Sequence, residues 1–344
     1  MKNLNRRNFI KGAAVLSGAV ALGAVSVRKA GATEAEGIMS QEPALPWGYE
    51  ELDPEYVRKL GHLGYYPFEC GGGAFWAIMT ALKEKIGYPY TLLPLPSVDE
   101  VISYLETGGE LPQVPMRFGG GGAAGYSSLC GAPNGAAAAI NYIVPFEATE
   151  HIVRRLLRYY ETEAFPTDQS NEYAANNEFL VPRYLSDKVL PKSVSNSVLC
   201  HVSVGKWCEH SGYASGSLER SERCGRLTGD VSAMAVTLLN AYQRGELETV
   251  FPFKLSHETA ECRTCHAKGK DYEKGQFTRG HIECTSCHGD EMVPHNGANK
   301  LKTAYGVSVG TWTGAAIAGA VFGIGAHAIS KRADKKGDDD EDTE

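Results

Sequence analysis

The sequence predicts a mainly α fold in three parts: a helical domain over residues 54–250, a small loop-rich segment over 251–302 and a C-terminal transmembrane helix over 303–330. Three observations carry this. Apolar residues recur at helical spacing in several stretches before Gly245, most of them followed by a glycine that acts as a stop. No stretch of comparable strength alternates apolar and polar residues as a half-buried strand would. Thr303 to Ser330 contains no Asp, Glu, Lys or Arg, and a run of that length reads as a membrane span.

Taken from the N-terminus, Asn5-Arg6-Arg7-Asn8-Phe9-Ile10-Lys11 has the twin-arginine pattern, an apolar run follows from Gly12 to Val27, and Ala30-Gly31-Ala32 supplies a small-x-small cleavage site. Residues 1–32 are therefore expected to be a signal peptide and 33–53 a linker. The route is informative. Haem c is attached outside the cytoplasmic membrane on chains threaded unfolded, so a twin-arginine signal implies that something is folded and loaded beforehand, most economically a metal cluster.

Within the helical domain, Pro54 to Leu60 is expected to end at Gly61, and Ala74 to Ile86 at Gly87. Ser97-Val98-Asp99-Glu100 is a capping box opening a helix that ends near Gly108. Phe146 to Glu163 gathers its apolar residues on one side, with Arg154, Arg155 and Arg158 elsewhere on the surface and His151 as a surface or core residue. Gly229 to Gln243 is stopped by Gly245. Between these helices lie Cys70-Gly-Gly-Gly73, Phe118-Gly-Gly-Gly-Gly122 and Cys130-Gly-Ala-Pro-Asn-Gly135. Glycine allows close backbone approach, and a cysteine at a helix start meets a positive end that lowers its thiol pKa. Thiolates presented in this way suit an iron-sulfur cluster. The bland alternative is flexible loops with buried structural thiols.

The loop-rich segment contains Cys262-Arg-Thr-Cys265-His266 and Cys284-Thr-Ser-Cys287-His288. In each, two thiols can form thioethers with haem vinyl groups and the following histidine can reach the iron, which is the c-type attachment signature. Paired CxxC could instead close a zinc ribbon, but a ribbon has no need of a histidine after both second cysteines. Two covalent haems are expected, with Cys262, Cys265, Cys284 and Cys287 as attachment points and His266 and His288 as proximal ligands. His257 and His281, each shortly before a motif, are the expected distal ligands, with His295 in reserve. So short an interval places the two porphyrins close together and leaves little protein to cover four haem faces. A ligand from a second subunit would answer that shortage.

Four of the nine cysteines belong to the haem motifs, leaving Cys70, Cys130, Cys200, Cys208 and Cys224. An odd set cannot all pair as disulfides. Cys208-Glu209-His210 is half of a Rieske motif without its counterpart, so His201 and His210 are read as neighbours of a site or surface residues.

The transmembrane expectation rests on Val307 to Ile329, long enough at about 1.5 Å per residue to cross about 30 Å of hydrocarbon. Gly306, Gly310 and Gly314, then Gly319 and Gly323, recur at the spacing of close-packed membrane helices. Lys331, Arg332, Lys335 and Lys336 follow, which places the tail 331–344 in the cytoplasm and the main body in the periplasm. His327 is read as passive, and the acidic Asp338 to Glu344 as a solvated end. That end supplies much of the net charge of -7; 22% charged and 43% apolar residues describe ordinary globular material, and no basic aromatic cluster suggests nucleic-acid binding.

Cys130-Gly-Ala-Pro-Asn-Gly135 resembles the core of the C_GCAxxG_C_C redox-active proteins, with Cys70 similar to the first cysteine, Cys200 to the third and Cys224, before the Gly229 helix, to the fourth; Cys208 is extra. Such a domain followed by two haem motifs and exported resembles the split-Soret cytochromes c. The resemblance implies a homodimer, two stacked bis-His haems per subunit with ligation shared between subunits, and an iron-sulfur site. It favours Cys70, Cys130, Cys200 and Cys224 as cluster ligands, with Cys208 as the alternative.

The sequence as a whole reads as a periplasm-facing, membrane-anchored dihaem cytochrome c with an iron-sulfur site, passing single electrons between redox proteins or the membrane quinone pool and an acceptor. The alternative is a haem-dependent oxidoreductase acting on a small substrate at an open haem or at the cluster. A third reading makes the large domain a dimerisation platform with ordinary thiols.

Overall fold

The computed structural model describes residues 43–266 and 280–288. It is mainly helical, as expected. Helix α1, Pro54–Ile86, begins on an Asp53 cap with proline at its start, and does not stop at Gly61. Instead it turns a corner beside Pro67, at Glu69 (φ 60°, ψ 179°). At that corner Gly64 and Gly73 lie so close that a Cβ on Gly73 would stand 2.8 Å from the Gly64 carbonyl carbon. Gly61 is a packing residue: a Cβ there would reach Gly229 Cα at 2.9 Å. The glycine read as a helix end is therefore the place where two helices touch.

Helix α2, Val98–Thr107, carries the expected capping box, with Ser97 N donating to Glu100 at 2.6 Å and Glu100 N to Ser97 Oγ at 3.2 Å. Helices α3, Gly131–Ile143, and α4, Phe146–Thr162, follow. A two-residue antiparallel pair, β1 Ala164–Phe165 with β2 Ser193–Val194, brackets α5, Asp168–Ala175. Helix α6, Cys200–Ser211, leads to α7, Leu218–Gln243, capped by Ser217. The sequence placed the start of α7 at Gly229; the Ser217 cap moves it earlier, so Cys224 lies inside the helix and not before it.

The core lies between α1, α3, α4 and α7, with Trp76, Phe75, Leu60, Ile140, Leu156, Val231 and Leu238 buried together. Networks of charged side chains run through it and along its edge, invisible in the periodicity. His62 Nε2 meets Glu222 at 2.8 Å and Arg226 donates to Glu222 at 3.0 Å. Arg58, Thr167 and Ser170 converge on Asp230. Arg155, expected on the surface, is buried: its Nε donates to Phe251 O at 2.9 Å and it pairs with Glu248 of α8, Leu247–Val250. The segment after α7 covers that side of α4. Arg154 is half-buried, Arg158 is mostly covered, and His151 is exposed.

Two short helices, α9 His257–His266 and α10 Thr285–His288, complete the described chain. The expected C-terminal transmembrane helix is corrected: no helix among the described residues is long and apolar enough to cross a membrane, and residues 303–330 lie outside them. The signal peptide, His295 and the charged tail also lie outside the described residues.

Candidate functional site

The glycine-rich loop after α2 is built on left-handed backbone, with Met116, Gly121, Gly122, Ala123, Ala124 and Gly125 all at positive φ. It closes over the corner of α1, where a Cβ on Gly71 would meet Met116 O at 2.5 Å. From the loop the chain runs into an isolated antiparallel bridge between Leu129 and Leu199. Cys130 N donates to Val198 O at 2.9 Å and Cys200 N to Ser128 O at 2.7 Å, so the bridge holds these cysteines opposite each other at the starts of α3 and α6. Cys70 follows the strained Glu69, and a Cβ on Gly131 would come 2.5 Å from its sulfur. Cys224 approaches from α7.

These elements enclose a cavity of 430 Å³ lined by Cys70, Cys130, Cys200 and Cys224. Cys208 does not line it and sits partly buried on α6. Arg117, Arg220 and Arg223 also line the cavity, offering positive charge to thiolates. Cys70 and Cys200 do not have the lowered thiol pKa values that the sequence suggested. Contact with Cys130, then burial, pushes Cys70 well above the ordinary range, and burial pushes Cys200 up to about 11.

Among the described residues no group of three or more His, Cys, Asp or Glu is gathered closely enough to hold a metal ion. The donor set nevertheless suits a larger thiolate-bound group: four thiols, three arginines and glycines at the points of closest approach. Two residues that line the cavity, Tyr160 and Arg223, each carry a buried polar atom without a hydrogen-bond partner, Oη and Nε.

The two CxxCH motifs also come together. Burial, then the neighbouring Cys284 thiol, pushes Cys262 up to about 11, so the first cysteines of the two motifs are neighbours. Thr259 donates to Glu283 at 2.6 Å and accepts from Cys284 N at 3.0 Å. Glu283 accepts from Arg158 at 3.3 Å, and its N–H donates to Glu161 at 3.1 Å, which seats the second motif on α4. Burial raises Glu283 and its hydroxyl donors outweigh it, leaving the carboxyl at about 2. His281 packs against Phe253 at the edge of a cavity of 160 Å³, its pKa lowered by burial and by Arg263 and Arg154, which favours the neutral, ligating imidazole. His257 is exposed and 3.1 Å from Glu261; His288 is exposed, and His266 partly so. His201 and His210 are exposed. The Arg158, Glu161, Glu283 and Thr259 network was not foreseen; its only local trace is the three-residue spacing of Arg158 and Glu161.

A family model described as "Putative redox-active protein (C_GCAxxG_C_C)" matches residues 106–238, and a twin-arginine translocation signal model matches residues 3–23. A curated relative, the split-Soret cytochrome c of Desulfovibrio desulfuricans, is 32% identical over 304 residues, covering 86% of this chain and 98% of its own length. The chain belongs to the split-Soret cytochrome c family. A solved structure of the split-Soret cytochrome c from that organism, described as containing a novel iron centre, matches with a TM-score of 0.56 at 30% identity, covering 74% of this chain and 93% of that one. As a member of the split-Soret cytochrome c family the chain is a haem c electron-transfer protein, and its twin-arginine signal directs it to the periplasm.

Proposed function

We propose that the chain is a dihaem carrier in which an iron-thiolate cluster and two haems exchange single electrons with redox partner proteins. The observation that carries this reading is the convergence of Cys70, Cys130, Cys200 and Cys224 on one cavity. Those four thiols would hold an iron-sulfur cluster, in keeping with the iron centre described for the solved relative. The cluster would store one electron. In this division the domain 54–250 carries the cluster and 251–302 carries the haems.

Cys262, Cys265, Cys284 and Cys287 would attach the haems, with His266 and His288 as proximal ligands. His257 and His281 remain the distal ligands of choice, His295 the reserve. His257 and His266 stand on one helix, about 13.5 Å apart along its axis. Nine residues are also about two and a half helical turns, so the two side chains leave opposite sides of the helix and do not grip one iron; His257 would serve another haem, and its exposure leaves it open to a second copy of the chain. A homodimer with shared ligation is the arrangement this favours.

Optical and EPR spectra of the native protein, reduced stepwise with iron and haem counted on the same sample, test the proposal. Two haems, low-spin signals, a split Soret band and additional non-haem iron support it. A high-spin haem and no additional iron would turn the reading to the haem-dependent oxidoreductase.

A further inference from the structure

Five buried side-chain atoms among the described residues lack a hydrogen-bond partner: His62 Nδ1, Thr80 Oγ1, Tyr160 Oη, Ser193 Oγ and Arg223 Nε. Tyr160 and Arg223 line the cavity of the four thiols. Leaving a buried donor unpaired is costly, and two of these donors belong to residues that line that one cavity. Tyr160 is fully buried on α4, its hydroxyl beside Cys130 and Ser203 without reaching hydrogen-bond geometry to either. Arg223 is equally buried on α7. One end of its guanidinium is fixed, Nη2 donating to Ser203 Oγ at 2.8 Å, which leaves Nε for another acceptor. Ser203 thus holds the Arg223 guanidinium in place. The acceptors that suit them are the sulfur atoms of an anionic group held by the four cysteines.

We infer that Tyr160 and Arg223 donate hydrogen bonds to the iron-thiolate group and set its reduction potential, an inference that rests on the cluster reading above. One-electron reduction, with the electron arriving from a haem or a chemical reductant, adds one negative charge to that group and breaks no bond to the protein. Donors aimed at its sulfurs stabilise the more negative form more strongly, so they raise the potential. Neither residue is a ligand, and both act as positioning and tuning residues.

The test is a potentiometric titration of the intact protein, followed by EPR, with non-haem iron counted in every sample. Tyr160→Phe keeps the ring in the core and removes one donor; Arg223→Lys keeps the charge and removes Nε. Each is expected to retain its iron and to lower the midpoint by roughly a tenfold change in electron affinity, about 59 mV for one electron. Exchangeable proton couplings to the reduced centre should weaken in the same variants. Tyr173→Phe, away from the cavity, should change neither. Full iron with an unmoved midpoint in both variants would mean that water satisfies these donors, and would overturn the inference. An equal shift in Tyr173→Phe would overturn it too. Native protein without non-haem iron would overturn the cluster reading at the first step, and this inference with it.

Discussion

Arg158 on α4 donates to the carboxylate of Glu283 at 3.3 Å, tying the second haem motif to the helical domain across a long stretch of chain. Both side chains are nearly covered, and Glu161 and Thr259 complete the network. Removing one partner leaves the other buried without compensation, which costs more than the intact pair is worth. Glu283→Ala is expected to weaken the docking of residues 280–288 by about 1–3 kcal/mol. Hydrogen exchange should speed up in α9 and α10 while the α1 and α7 core stays protected.

The same contact predicts an acid response. Glu283 is held at about 2, against an ordinary value of 4.5, because its hydroxyl donors outweigh the burial that raises it. A carboxyl depressed in the folded state adds stability above its unfolded pKa and loses it as pH falls through the folded value. Docking should therefore be firm above about pH 4.5 and weaken towards pH 2. Glu161 has the opposite sign, since burial raises its pKa despite Arg158: its contribution is complete below about pH 4.5 and is lost only as pH rises, so it does not cause the acid loss. Circular dichroism in the Soret region, followed down in pH, should show the loss, and Glu283→Gln should abolish the dependence.

What the sequence disclosed was mostly local. Ser97 and Glu100 form their capping box because both partners lie within one turn, and the CxxCH motifs carry their chemistry within five residues. Gly61 misled because its partner is Gly229, and no local pattern tells a packing glycine from a helix stop. Arg155 misled for a related reason: the polar side of an amphipathic helix reads as solvent until Phe251 and Glu248 cover it. The four thiols could be grouped only through the Cys130-Gly-Ala core. The helix-start argument erred for Cys70, where contact with Cys130 and then burial raise the thiol, and for Cys200, where burial does.

Glycine sets how closely the cavity walls approach. A Cβ at Gly135 would stand 2.0 Å from Gly71 O, a backbone atom that cannot swing away. Gly135→Ala is therefore expected to push α3 away from the corner of α1 and to cost about 1–3 kcal/mol. Thermal melts should show a lower Tm, with non-haem iron falling alongside it if the cluster reading holds. Gly205, where a Cβ would meet nothing within 4 Å, is the comparison site, and Gly205→Ala should lower neither.

Cys208 separates two ways of choosing four ligands from five thiols. It lies on α6 just over two turns beyond Cys200, so a helical argument could place it with the others, yet Cys70, Cys130, Cys200 and Cys224 line the cavity and Cys208 does not. If the cluster reading holds, single replacement of any of those four by Ala should remove most of the non-haem iron, because three thiolates leave one metal position open to water. Cys208→Ala should retain it. Iron counted per haem reads the difference directly, since the haem attachment cysteines are untouched in all five variants. If Cys208→Ala lost its iron and Cys200→Ala kept it, α6 would have to turn its far end toward the cavity, and the bridge between Leu129 and Leu199 would lose its role in placing the site.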